Sequence, residues 1–278
     1  MFEFLHVLRN QTFMQNAVII GLLASVACGV MGTYVVVRRI VFISGGIAHT
    51  VLGGMGIAYY CGYNPIHGAV VSALIAALVI GFVSLRYHQH EDTIIGALWA
   101  VGMAVGILFM YKTPGYNVDL MSYLFGNILM VEKNSVWLLG CLDALIILLV
   151  LLFYKRFLGV CFDEEYSELQ GVGVVSTYLL LLCLIALTVV MLIQVVGIVL
   201  VIALLTLPAA TARYYVHSLG QMMILASILS ALFTTSGLVV SYDPNLPAGA
   251  TIIVIAGLAY LLATVLKGLT MRFHSGRD

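Results

Sequence analysis

The sequence predicts an all-α, polytopic membrane protein, a helical bundle of eight to nine transmembrane helices. Two stretches, 40–85 and 169–212, contain no Asp, Glu, Lys or Arg. About 20 apolar residues already cross the hydrocarbon core of a bilayer as a helix, so each stretch is long enough to cross twice. Hydrophobic residues make up 63% of the chain and charged residues 9%, against about 25% charged in soluble domains. Such a chain has too little polar surface to cover itself in water.

Charged and turn residues divide the chain into the expected elements of one domain, residues 1–278. Residues 1–15 mix apolar and polar side chains and predict an interfacial helix lying along the membrane. Residues 119–129 predict a short helix that does not cross, and this region leaves the count at eight or nine. The expected crossings are 17–37, 40–62, 66–86, 93–111, 136–154, two within 173–213 that break near Gln194 or Gly197, 220–241 and 249–267.

The distribution of basic residues predicts the orientation. Nine crossings put the two ends of the chain on opposite sides, and cytoplasmic loops carry an excess of Lys and Arg. With the N-terminus outside and the C-terminus inside, nine of the 12 basic residues fall in inner loops. These nine are Arg38, Arg39, Arg86, Lys155, Arg156, Arg213, Lys267, Arg272 and Arg277.

Composition and motifs exclude several functional classes. The formal net charge is zero, so no basic patch indicates a nucleic-acid partner. The five cysteines lack CxxC spacing, which argues against a disulfide framework or a thiolate metal site. The sequence has no GxxxxGK[ST], HExxH or GxSxG motif, so we expect no enzyme. If the chain moves a solute uphill, the energy comes from an ion gradient or a separate ATPase.

Polar residues inside the apolar stretches are the main candidates for function, because burying them is costly. His49 lies ten residues past Arg39, about 15 Å into the membrane and near its midplane. Neutral imidazole is a good ligand for zinc and similar divalent ions, although a histidine there could instead bond a neighbouring helix. Asp143 is expected at the outer interface. Asp243 and Asn245, in the turn before the last crossing, either meet a cation or cap that helix.

An acidic stretch marks residues 157–172, on the expected cytoplasmic side. A short amphipathic helix followed by a glycine is a plausible docking element, and an ordinary solvated loop is the alternative. The residues concerned are Asp163, Glu164, Glu165, Glu168 and Gly171.

Glycines recur inside the expected crossings. Small residues let membrane helices approach closely, which is one explanation for GGMG at 53–56. The glycines of SGG at 44–46 could instead loosen a helix beside a polar pathway, and the sequence leaves both open.

Six blocks, in order along nearly the whole chain, resemble the permease subunits of bacterial ABC importers for divalent metal ions, the zinc, manganese and iron group. VVGIVLVIALLTLPAATA at 195–212 is the most specific block, and FDEEYSELQGV at 162–172 is similar to the block that docks on the ATPase. The others are GTYVVVRRIVFISGGIAHTVLGG at 32–54, EDTIIGALWAVGMAVGI at 91–107, DLMSYLFGNIL at 119–129 and SYDPNLPAGATI at 241–252.

The resemblance implies a mechanism and partners. Two permease subunits, expected to be copies of this chain, pair around a central pathway in the bacterial cytoplasmic membrane. A separate ATP-binding subunit docks on 157–172 and supplies ATP hydrolysis, and an extracellular or periplasmic metal-binding protein delivers the ion. The metal ion is cargo, and no permanently bound cofactor is expected. Sites near the midplane, reached alternately from each side, fit this scheme.

The resemblance also bears on His49. Many members of the group carry an Asp four residues earlier, on the same helix face, where this chain has Gly45. Ser44 is then a weak substitute ligand. Loss of a hard oxygen with the imidazole retained favours zinc over manganese, and manganese or iron is the alternative cargo.

Two other classes stay open. A secondary transporter driven by protons or sodium would call for paired ionisable residues inside helices, and the interior of this sequence offers few. A membrane scaffold that transports nothing would leave His49 idle.

Overall fold

A computed structural model describes residues 9–86, 91–113, 126, 128, 133–198, 200–242, 244 and 246–275, without the side chains of 91, 133–135, 194 and 269–275. These ranges hold ten helices and no strand. The helices are α1 Thr12–Arg38, α2 Val41–Tyr60, α3 Pro65–Arg86, α4 Glu91–Lys112, α5 Lys133–Phe162, α6 Glu164–Leu169, α7 Val174–Val196, α8 Val201–Ala212, α9 Leu219–Tyr242 and α10 Ala248–Ser275.

Eight of these helices are long and apolar enough to cross a membrane, which confirms the predicted fold class. The predicted break in 173–213 is also confirmed, because α7 ends at Val196 and Gly197 adopts a φ of 80°. The returning helix α8 has only 12 residues, or about 18 Å of length. It is therefore too short to span the hydrocarbon core alone, so the second of the two crossings predicted within 173–213 is wrong as a full-length helix, and the described residues hold eight such helices.

The structure describes part of each of the two regions that the sequence left ambiguous, 1–15 and 119–129. Residues 12–15, expected in an interfacial helix, belong to α1 because no helix-breaking residue separates them from the first crossing. Residues 1–8 lie outside the described part. Of the predicted short helix at 119–129, only Gly126 and Ile128 are described, and Gly126 lies against the break at Gly197.

The basic helix ends meet at one end of the bundle, here called the basic end. Arg38 pairs with Glu164 there, and its guanidinium carbon lies 5.3 Å from the ring centroid of Tyr178. Further along this end, the Thr264 hydroxyl donates to the Tyr214 hydroxyl at 3.3 Å. Two cavities of about 240 and 330 Å³ open at this end. Between them they are lined by Val37, Arg38, Arg39, Ile40, Ser84, Leu85, Phe162, Glu164, Tyr178, Arg213, Val216, His217, Ser218, Leu219 and Met222.

Glycines let α2 pack backbone to backbone between α3 and α4. A Cβ added at Gly53 would lie 2.8 Å from the carbonyl oxygen of Gly102 in α4, and one at Gly54 would overlap Gly68 in α3. Because lipid tails are as apolar as the side chains, close van der Waals contact holds membrane helices together. GGMG at 53–56 is thus a packing element. Gly45 and Gly46 lie within the continuous helix α2.

Helix α1 packs along α9 in the same close manner. The Ser25 hydroxyl lies 3.3 Å from the Thr234 hydroxyl and also donates to the carbonyl of Gly21 at 2.6 Å. A Cβ at Gly29 would overlap the backbone of Ser227. This contact fixes the helix that ends at Arg38.

Replacement of Gly29 by Ala is expected to lower stability by about 1–3 kcal/mol, because the methyl group forces α1 and α9 apart. Thermal unfolding in detergent checks the effect. Gly257→Ala is the matched control, since nothing lies within 4 Å of a Cβ at that position in α10. It should be neutral or slightly stabilising, by about 0.5–1 kcal/mol. Equal melting temperatures for the two variants would contradict the close contact.

Candidate functional site

His49 lies in the third turn of α2 with only 6% of its surface exposed. Its ring stacks on the indole of Trp99 in α4, with centroids 4.0 Å apart and planes inclined by 9°. The Nδ1 atom is buried and has no hydrogen-bond partner. A buried polar atom without a partner costs about 1–3 kcal/mol. The imidazole therefore has an unused ligating nitrogen in the membrane interior, held in a defined plane by the indole.

Trp99 was not singled out by the sequence. Positions 49 and 99 lie on different helices, and no spacing rule pairs them. The only available signal was the rarity of the residue, since the chain has two tryptophans. Trp99 also lies 6.1 Å, between ring centroids, from Phe42, whose side chain is 48% exposed. Phe42 and Trp99 thus form a continuous line of aromatic side chains from the surface of the described chain to His49.

The space around Gly45 is already filled. A Cβ there would lie 2.8 Å from the Cδ1 atom of Ile202 in α8 and 3.5 Å from the indole of Trp99. An Asp at this position would need Ile202 to move. In this chain, the apolar side chain of Ile202 therefore lies where the first atoms of an Asp side chain at position 45 would be.

Ser44 is buried, and its hydroxyl donates to the carbonyl of Val41 at 2.8 Å. Ser44 lies five positions before His49, so the two side chains point about 140° apart around the helix. The structure thus brings His49 together with Trp99 and not with Ser44. Asp243 and Asn245 lie outside the described residues.

Within the described ranges, no three His, Cys, Asp or Glu side chains form a group that could hold a metal ion. A resident metal centre usually needs three or four such ligands. The roles of His49, Ser44, Asp243 and Asn245 stay predictions.

The acidic stretch folds as the predicted short helix, α6. The Asp163 carboxylate caps it by accepting from the Tyr166 backbone N–H at 2.9 Å. Ser167 is buried and donates to the carbonyl of Asp163 at 2.7 Å. Gly171 ends the segment with a φ of 76° and open space around it. Asp163 and Gly171 therefore shape the segment, whatever it contacts.

The outer surface of α6 carries both charge and apolar area. Glu165 and Glu168 are exposed, as are Tyr166 at 59% and Leu169 at 85%. Glu164 differs, because its carboxylate pairs with Arg38 of the same chain. An exposed Tyr and Leu beside two acids at the basic end form a surface suited to a protein partner.

Asp143 is the sequence-based expectation that the structure corrects. It was expected at the outer interface, but its exposed fraction is 3% and its Oδ1 has no hydrogen-bond partner. Seven residues past Val136 place it about 10 Å along α5, where α5 packs against α1. The sequence gives the position of Asp143 along α5, but it does not show which face of α5 is covered by α1.

Comparison with known proteins agrees with this architecture. Residues 10–267 match the ABC 3 transport family. An uncharacterized membrane protein of Synechocystis sp. is 49% identical over 92% of this chain and 91% of its own. The manganese transport system membrane protein MntC of Listeria monocytogenes is 35% identical over 94% and 92%. The solved structure described as PsaBC from Streptococcus pneumoniae in complex with Fab is 32% identical, with a TM-score of 0.86 and 94% of each chain covered. The chain therefore belongs to the ABC 3 transport family, as a membrane permease of the metal-transporting ABC importers.

Proposed function

We propose that this permease carries a divalent transition-metal ion into the cell, with His49 as the ligand that the ion meets midway. The buried, unpartnered Nδ1 of His49 carries this proposal. An imidazole fixed by stacking and left without a hydrogen bond suits an ion that must bind briefly and leave. Ser44 would supply a weaker second contact, and Asp243 and Asn245 would meet the ion at the outer mouth.

The proposed assembly contains two copies of this chain, a separate ATP-binding subunit and an extracellular metal-binding protein. The lack of a three-ligand group in the described part of one chain supports pairing, since a second His49 would double the donors. Arg213, at the end of α8, lies at the basic end beside Val37 and Phe162, so α7 and the short α8 together take the chain away from that end and back to it. This return, with the gathering of basic residues at one end, supports an N-terminus outside and a C-terminus inside. ATP, not an ion gradient, would supply the energy.

Zinc is the ion that the donor set favours. Imidazole without a carboxylate binds zinc better than manganese, and Ile202 fills the space that an Asp at position 45 would need. Manganese is the second candidate, because the Listeria relative carries that ion in its name.

His49→Ala is expected to reduce ATP-driven metal uptake by about ten-fold or more, because the ion loses its nitrogen ligand. Uptake by the complex in proteoliposomes measures this. His67→Ala is the control, since His67 is exposed at the start of α3 and should transport normally. Equal uptake by both variants would remove His49 from the path. Uptake by wild-type chain on an ion gradient without ATP would favour a secondary transporter.

Deletion of the gene is expected to lower cellular zinc while manganese stays near its normal level, because the imidazole site selects by donor type. Elemental analysis of cells grown with limiting metal measures both ions. Restoration by wild-type chain but not by His49→Ala ties the loss to the site. A selective fall in manganese would overturn zinc in favour of the second candidate.

The exposed acids of α6 are proposed to face the ATP-binding subunit. Glu165→Lys with Glu168→Lys should therefore weaken association several-fold, because reversed charge opposes the complementary surface. Co-purification of the two subunits in detergent measures association. Asp92→Lys, at an exposed position early in α4, is the control for a simple change of net charge. Normal assembly and transport by the α6 variant would reject this docking surface.

A further inference from the structure

Arg38 connects three elements at the basic end of the bundle. It is the last residue of α1, and its Nη2 donates to the Oε1 of Glu164, the first residue of α6. The same guanidinium lies 5.3 Å from the ring centroid of Tyr178 in α7. The Tyr178 hydroxyl in turn lies 3.4 Å from the Ser84 hydroxyl in α3. Helix α6 follows α5 directly and packs on it through Ser167, and the Arg38 side chain adds a link from α6 to the end of α1.

A tight turn carries this connection to α2. Arg39 adopts a left-handed conformation with a φ of 61°, and the Ile40 N–H donates to the Val35 carbonyl at 3.1 Å. The Ser44 N–H then donates to the Ile40 carbonyl at 3.2 Å. Only two residues, both in hydrogen-bonded positions, separate α1 from α2. A shift of Arg38 therefore reaches α2 without a flexible linker.

His49 lies eight residues past the start of α2, or about 12 Å along its axis. The path from α6 to His49 consists of one ion pair, one tight turn and two helical turns. The pair is partly shielded, with 22% of the Arg38 side chain and 42% of the Glu164 side chain exposed. Glu165 and Glu168, on the same short helix, are exposed and available to a partner.

We propose that Arg38 is a positioning residue that transmits movement of α6 to the His49 helix through its ion pair with Glu164. Glu164 then acts within the chain, whereas Glu165 and Glu168 act on the partner. This inference rests on the proposed function, because it takes α6 as the docking segment. It predicts that breaking the pair separates ATP hydrolysis from metal movement while the subunits stay together.

A charge-swap cycle in the complete complex tests the proposal. The variants are Arg38→Glu, Glu164→Arg and the double exchange, reconstituted with the ATP-binding subunit in proteoliposomes. Each single variant should keep the ATP-binding subunit but move about five-fold less metal per ATP hydrolysed, and the double exchange should recover most of the loss. A merely structural surface pair would not change the ratio of metal moved to ATP hydrolysed.

A matched exchange at an acid outside α6 is the control. Arg38→Glu combined with Asp92→Arg should show no recovery, because Asp92, exposed early in α4, is not the partner of Arg38. Glu164→Gln and Arg38→Gln provide milder breaks in case the reversed charges prevent folding, and they should lower the ratio in the same direction.

Three results would overturn the inference. They are a wild-type ratio in the single variants, no recovery in the double exchange, and loss of the ATP-binding subunit from Glu164→Arg alone. Failure of the proposed function would look different, since wild-type chain would then transport without ATP or fail to hold any ATP-binding subunit.

Discussion

Close backbone packing of α2 against α3 and α4 is the contact on which the rest of the site depends. In a bilayer no hydrophobic effect separates helix from lipid, so helices associate where small residues allow van der Waals contact over a long line. Gly53 and Gly54 provide this line on two sides of α2. The packing fixes the rotation of α2, and with it the position of His49 under Trp99. Any larger residue along the line would turn the imidazole away from its cover.

The packing around α2 also explains why His49 has no carboxylate beside it. Trp99 and Ile202 fill the space around Gly45, one turn before His49, so α2 presents a nitrogen and no carboxylate on that face. A carboxylate beside the imidazole would hold a divalent ion more tightly, and tight binding slows release. A permease needs an ion to enter and leave, and the proposed arrangement, with a single nitrogen from each of two copies, is consistent with this need. High affinity can then lie with a separate binding protein, while the imidazole still selects by donor type.

Much of the fold could be predicted because hydropathy and charge act along the chain. Charge-free stretches predicted the crossings, and Gly197 marked the break between α7 and α8. Side-chain contacts could not be predicted, because they depend on which helices become neighbours. The sequence identified His49 without its stacking partner Trp99. It identified Glu164 as acidic but could not reveal that its carboxylate pairs with Arg38, 126 positions earlier. Asp143 was expected at the outer interface, but its side chain is buried where α5 packs against α1.

The charges at the basic end therefore divide into two kinds. A charge that orients the bundle needs only to be on the cytoplasmic side, whereas a charge that positions α6 must meet its partner atom to atom. Arg39 is exposed and fits the first purpose in the proposed orientation. Arg38, beside it, is held between Glu164 and Tyr178 and serves both. Exposed ion pairs contribute little stability, typically about 0–1 kcal/mol. Stability alone therefore does not account for a pair that joins α6 to the turn before α2. Its value lies in geometry, because a salt bridge with one defined partner keeps the six-residue helix α6 in register with α2, the helix of the proposed metal ligand His49.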